Sequence, residues 1–139
     1  LSASEDEEVT KILNQSGQVA IVGRYSLTDK DMERLKPFGW LNDEILNCYC
    51  EMIRGRARHS KLDWQLLTHP SRVTVTNRNV LVFDSFFFSK LSKGYFECNI
   101  NRWTKNENIF AKDLILIPVN HSNNHWTAAC INFLEKRIE

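Results

Sequence analysis

The chain has 139 residues, 42% of them hydrophobic and 25% charged, which suits one globular domain with a buried core and argues against disorder over most of its length. A formal charge of +1 at neutral pH offers no global attraction to nucleic acid or to an anionic membrane. A membrane-spanning helix needs about 20 apolar residues and no such run occurs. The acidic, Ser-containing start lacks the basic-then-apolar pattern of a secretory signal, so a soluble intracellular protein is expected.

Glu5-Asp6-Glu7-Glu8 followed by Val9, Ile12 and Leu13 predicts a short helix over 5–14, its acidic first turn matched to the helix dipole and its end marked by Gly17. Val19-Ala20-Ile21-Val22 is a short strand candidate before a turn at Gly23. Thr28 then caps a short helix through Met32 and Leu35, stopped by Pro37. The best helix follows, with Leu41, Ile45, Cys48, Tyr49 and Met52 at helical spacing and Asn42 or Asp43 as N-cap. Trp40 is left just outside it, either a packing staple or a pocket wall. Arg54, Arg56, Arg58, His59 and Lys61 predict a polar loop, solvated or offered to an acidic partner.

Val73, Val75, Val80 and Val82 read as strand, with a hairpin turn at Asn77-Arg78. Phe83-Asp84-Ser85-Phe86-Phe87-Phe88 leads into a helix capped by Asp84 or Ser85, its four phenylalanines expected in the core. Phe96, Ile100 and Trp103 predict a helix from Tyr95 to Thr104. Two strands close the chain, 113–119 and 126–133, with the polar turn Asn120-His121-Ser122-Asn123-Asn124 between them and Pro118 expected at a strand end. His125 and Trp126 stand at the mouth of the second strand. Histidine's charge change falls near neutral pH, which suits general acid and base work from a rigid strand start.

Cys48, Cys50, Cys98 and Cys130 sit in apolar-periodic segments, the setting of reduced, packed thiols in the cytosol or nucleus. Cys48-x-Cys50 with His59, His121 and His125 is the competing zinc reading. No second thiol pair occurs at zinc-site spacing, so no metal and no cofactor is expected.

In chain order, Trp40-Leu41-Asn42-Asp43-Glu44-Ile45, Phe83-Asp84-Ser85-Phe86-Phe87, Gly94-Tyr95 with Arg102-Trp103-Thr104, and Asp113 to Val119 followed by His125-Trp126 resemble the Ulp/SENP cysteine proteases, which process SUMO and remove it from target lysines. The resemblance runs from about Val19 to the end, making 1–18 an N-terminal helical extension and 19–139 the N-terminal portion of the protease domain. It implies an α+β, papain-like cysteine protease domain truncated before the triad Asp and Cys.

By the same resemblance His125 is the general base, and Trp40 and Trp126 wall a tunnel for the modifier's Gly-Gly tail. Flat indole walls would admit only residues without side chains. Asp43 would meet the modifier's basic surface. The implied partners are SUMO or a related ubiquitin-like modifier and its conjugates, acted on by a monomer in the nucleus or cytoplasm, with no nucleic acid and no membrane. The family's triad aspartate, oxyanion glutamine and Asp-Cys-Gly nucleophile turn have no match here, and Glu135 to Glu139 resembles the turn into the strand that bears the aspartate. None of the four cysteines has the helix-start setting a thiolate needs. The chain alone is therefore expected to be an inactive part of a thiol isopeptidase. The alternatives are a non-catalytic module that binds a ubiquitin-like modifier, and a purely structural domain with tryptophans in its core.

Overall fold

A computed structural model describes residues 2–59, 79–94 and 99–139. The chain divides into two compact units, Leu1–Glu51 and Met52–Glu139.

The first unit opens with helix α1, Ala3–Leu13. It starts two residues earlier than the acidic run suggests because Ser2 caps it: the Glu5 N–H donates to the Ser2 hydroxyl, and the Ser2 N–H donates to the Glu5 carboxylate at 2.6 Å. Strand β1, Gln18–Val22, turns at Gly23 (φ 60°) into β2, Tyr25–Thr28, to form an antiparallel hairpin. The second arm was not expected, since Tyr25-Ser26-Leu27-Thr28 is too short to show a period. A one-turn helix α2, Asp29–Met32, and a 3-10 turn, Glu33–Leu35, follow. The Asp31 carboxylate anchors this corner, accepting the Thr28 N–H at 2.8 Å, the Thr28 hydroxyl at 2.7 Å and the Asn42 amide at 2.7 Å.

Helix α3 spans Asp43–His59, so the boundary between the units falls within it. Asn42 is its N-cap, its side-chain oxygen accepting the Ile45 N–H at 3.2 Å. Arg54, Arg56, Arg58 and His59, expected in a loop, lie in the helix's last two turns, and Lys61 lies outside the described residues. Arginine is a good helix former, and Arg54 is tied down by donating from Nε to the Val82 carbonyl at 2.8 Å. The buried face of α3 is also shifted from the apolar pattern: Asn47, Cys48 and Cys50 are buried whereas Tyr49 and Met52 are exposed.

Among the described residues, the second unit is built on a four-stranded sheet in the order β3-β4-β5-β6. Strand β3, Val80–Val82, pairs parallel with β4, Leu114–His121. Asn79 and Asp113 set that register, the Asn79 N–H donating to the Asp113 carboxylate at 2.7 Å and the Asp113 N–H to the Asn79 carbonyl at 2.9 Å. The expected partner strand at Val73 and Val75, with its turn at Asn77-Arg78, lies outside the described residues. Strand β5, His125–Asn132, pairs antiparallel with β4 along its whole length, and β6, Arg137–Ile138, pairs antiparallel with β5. Glu135 to Glu139, expected as a turn into a further strand, already contains a strand at Arg137–Ile138.

Pro118 lies inside β4 rather than at its end. Leu116 turns its carbonyl toward β3, where it accepts the Phe83 N–H at 2.9 Å, and Pro118, two residues on, faces the same side. Strand β3 has already ended there, so the missing N–H interrupts no ladder bond.

Helix α4, Phe86–Leu91, covers one face of this sheet. The Asp84 carboxylate accepts the Phe86 N–H at 3.0 Å at its start. Only half of the phenylalanine run enters the core. Phe83 and Phe87 are buried and stacked with ring centres 3.7 Å apart, while Phe86 and Phe88 point outward, as a helical turn requires. Trp103 packs edge-on against both, and Ile100, Ile115, Ile117 and Val119 complete the cluster. The helix expected from Tyr95 is confined, among the described residues, to α5, Asn101–Thr104, because Asn99 takes a left-handed φ of 49° that no helix continues through.

Candidate active site

His125 is the first residue of β5 and lies directly opposite His121, the last of β4. The turn between them is three residues, Ser122 to Asn124, rather than the five expected, because Asn120 and His121 stay in the ladder. Ser122 (φ 53°) and Asn123 (φ 60°) are both left-handed, the hand that matches strand twist in a tight hairpin. The turn is closed by the Asn124 N–H on the His121 carbonyl at 3.0 Å and by the Asn123 N–H on the Asn120 side-chain oxygen at 2.7 Å.

Strand alternation places His121, His125 and Thr127 on the face that farther along carries Ile115, Ile117, Ala129 and Ile131, with Asn120 and Trp126 on the other. The sheet's hydrophobic face therefore ends in two exposed imidazoles. Their ring centres are 6.1 Å apart and the rings 28° from parallel. His121 Nε2 lies 2.9 Å from the Thr127 hydroxyl. The sequence places His121 in the turn and weighs it only as a zinc ligand beside the Cys48-x-Cys50 pair; its direct pairing with His125 is new in the structure. Its signal was the spacing His-x-x-x-His across a turn, which pairs the two residues once the hairpin closes.

Trp126 is half-buried beside His125 in sequence but on the opposite face of the strand. In the first unit Trp40 and Asp43 flank the start of α3. Trp40 is 59% exposed, which is not the burial of a hydrophobic staple, and its carbonyl accepts Arg34 Nη1 at 3.5 Å. Gly39 makes this corner possible, since a Cβ there would lie 2.4 Å from the Arg34 carbonyl oxygen. Asp43 occupies the first turn of α3, where a carboxylate complements the dipole.

The thiols are placed for packing. Cys48 is 2% exposed, and burial, together with the carboxylates of Asp31 and Glu44, pushes its pKa up. Cys130 lies within β5 and is pushed up by burial and then by Glu139. Cys50 is buried in the middle of α3, and Cys98 lies outside the described residues. A nucleophilic cysteine needs its thiolate favoured, and the shifts at Cys48 and Cys130 run the other way.

The fold follows that of solved Ulp1 catalytic domains. Against the solved structure of the SUMO protease Ulp1 with its catalytic cysteine oxidised to a sulfenic acid, the TM-score is 0.75 at 26% identity, covering 99% of this chain and 54% of that one. Against the C-terminal Ulp1 protease domain in complex with Smt3, the yeast orthologue of SUMO, it is 0.74 at 25% identity, covering 99% and 55%. Residues 39–139 match the Ulp1 protease family, C-terminal catalytic domain. A sentrin-specific protease of Caenorhabditis elegans is 37% identical over 111 residues, 79% of this chain and 14% of that protein. The chain belongs to the Ulp1 family of cysteine proteases. It spans about half of the solved catalytic domains and a much smaller share of the C. elegans protein.

Proposed function

We propose that residues 19–139 form the N-terminal portion of a thiol protease domain that processes SUMO and releases it from conjugated lysines, with 1–18 as a helical extension. The observation that carries the reading is His125 at the start of β5, in a chain whose fold follows the SUMO protease Ulp1 over 99% of its length. In this reading His125 takes the proton of a cysteine supplied beyond Glu139. The thiolate attacks the carbonyl carbon of the modifier's last glycine, and His125 returns the proton to the departing lysine amine. Trp40 and Trp126 hold the Gly-Gly tail, and Asp43 meets the modifier's basic surface. The burial of Cys48 and Cys50, and the raised pKa of Cys48 and of the half-buried Cys130, support an inactive 139-residue chain. The domain works as a monomer in the nucleus or cytoplasm. Among the described residues no helix is long and apolar enough to cross a membrane.

The test is hydrolysis of a SUMO precursor and of a SUMO-lysine conjugate by the full-length protein and by the 139-residue chain. The full-length protein cleaves both and the short chain neither. His125→Gln lowers kcat/KM at least about a thousandfold, because triad members act as a unit. Trp40→Ala with Trp126→Ala weakens modifier binding. Undiminished cleavage by His125→Gln would overturn the role given to His125. A full-length protein that binds the modifier through the tryptophans without cutting it would establish the non-catalytic binding module instead.

A further inference from the structure

His121 has no part in the chemistry above, yet it lies directly opposite His125 in the β4–β5 ladder. We propose that His121 and His125 together form a two-imidazole site for a borderline first-row divalent ion, Zn²⁺ or Cu²⁺, and that the ion, once bound, occupies the lone pair His125 needs as a base. The binding rests on geometry alone, and its inhibitory consequence rests on the proposed role of His125.

Three observations converge. First, the residues are directly opposed in the β4–β5 ladder on one face of a closed three-residue hairpin, so their backbones are held before any ion arrives. Second, the ring centres are 6.1 Å apart. Two imidazoles each about 2.0–2.1 Å from one ion have centres about 5–6.5 Å apart, depending on the angle at the metal, so the observed spacing is one that a shared ion allows. Third, His121 already has the outer partner that ligating histidines require. His121 Nε2 lies 2.9 Å from the Thr127 hydroxyl, and in the tautomer that carries its proton on Nε2 the Nδ1 lone pair is left for the ion. Among the described residues no cluster of three or more His, Cys, Asp or Glu could hold a metal, so the site proposed is the histidine pair alone. This ligand set selects imidazole-preferring ions and rejects Mg²⁺ and Ca²⁺, which take oxygen ligands. It differs from the thiol-based zinc reading of the sequence, because Cys48 and Cys50 are buried in α3 and contribute nothing.

The experiment titrates the 139-residue chain, kept reduced by a phosphine that does not chelate, with Zn²⁺ by calorimetry and with Cu²⁺ by amide NMR. Wild type shows a site whose Cu²⁺ broadening centres on residues 120–127. His121→Ala and His125→Ala each weaken Zn²⁺ binding tenfold or more, the double variant abolishes the site, and Mg²⁺ produces no change. Zn²⁺ affinity unaltered in the double variant, or broadening centred elsewhere, would overturn the proposal. Zn²⁺ inhibition of the full-length protein, relieved tenfold or more by His121→Ala, then tests the consequence. If Zn²⁺ binds at the pair but leaves hydrolysis untouched, the metal site stands and the assignment of His125 as base fails.

Discussion

Replacing Gly39 by alanine tests whether the Trp40 corner is set by backbone contact. A Cβ at position 39 would meet the Arg34 carbonyl oxygen at 2.4 Å, its carbon at 2.8 Å and the Lys36 carbonyl oxygen at 2.9 Å. All three are backbone atoms, so no side chain can swing aside. Relief requires a shift of at least about 0.6 Å at the Arg34 carbonyl, distorting bond angles and dihedrals at a cost that grows roughly quadratically. The same shift strains the hydrogen bond from the Gly39 N–H to the Lys36 carbonyl, 2.9 Å long. Backbone distortion of about 1–3 kcal/mol and a weakened bond of about 0.5–1.5 kcal/mol together predict a loss of about 2–4 kcal/mol.

Gly55, inside α3, is the internal control. Nothing lies within 4 Å of the Cβ it would carry, so Gly55→Ala should gain about 0.5–1 kcal/mol from helix propensity. Urea unfolding followed by far-ultraviolet circular dichroism reads both, with the midpoint moving in opposite directions and the slope preserved. A Gly39→Ala midpoint equal to wild type, or a Gly55→Ala midpoint below it, would contradict the backbone-contact account.

Four further outcomes are expected. At Asp31 burial opposes the charged form, but hydrogen bonds from the Thr28 hydroxyl, the Thr28 N–H and the Asn42 amide, with the charge of Arg34, hold the carboxyl below its usual pKa of 3.8. A carboxyl depressed on folding contributes stability that is present above its unfolded pKa and lost as pH falls through the folded one. Asp31→Asn should therefore lose about 1–2 kcal/mol at pH 7 and flatten the stability profile below about pH 4, read by urea midpoints at each pH. Ser122→Gly relieves a left-handed φ of 53° and should gain about 0.5–1 kcal/mol, checked by the thermal midpoint; a loss would contradict the turn geometry. Phe87→Ala empties the centre of the aromatic cluster and should cost about 3–5 kcal/mol in the same unfolding assay. Cys48, buried and with its pKa raised, should alkylate more than about a hundredfold slower than glutathione at pH 7.5, by mass spectrometry; comparable rates would show an accessible thiolate.

Local chemistry made several elements readable from the sequence. The Thr28 and Asn42 caps, the Gly23 turn, the β4 and β5 runs, and the positions of Trp40 and Asp43 at the start of α3 and of His125 and Trp126 at the start of β5 follow short-range pattern, because caps, turns and alternation are properties of neighbouring residues. Family resemblance, carried by ordered motifs rather than by any one of them, was likewise legible. Tertiary structure decided what depends on residues far apart. Arg54 is helical in a stretch of charge that alone suggests a loop, and the Val82 carbonyl it meets is 28 positions away. Pro118 is tolerated inside β4 because β3 ends short of it. The buried face of α3 falls on Asn47, Cys48 and Cys50 and leaves Tyr49 and Met52 exposed, which the apolar spacing of the helix does not predict. The pairing of His121 with His125 exists only once the hairpin closes in its own register: a slip of one residue would send one imidazole to the opposite face, and no composition or spacing rule chooses between the two.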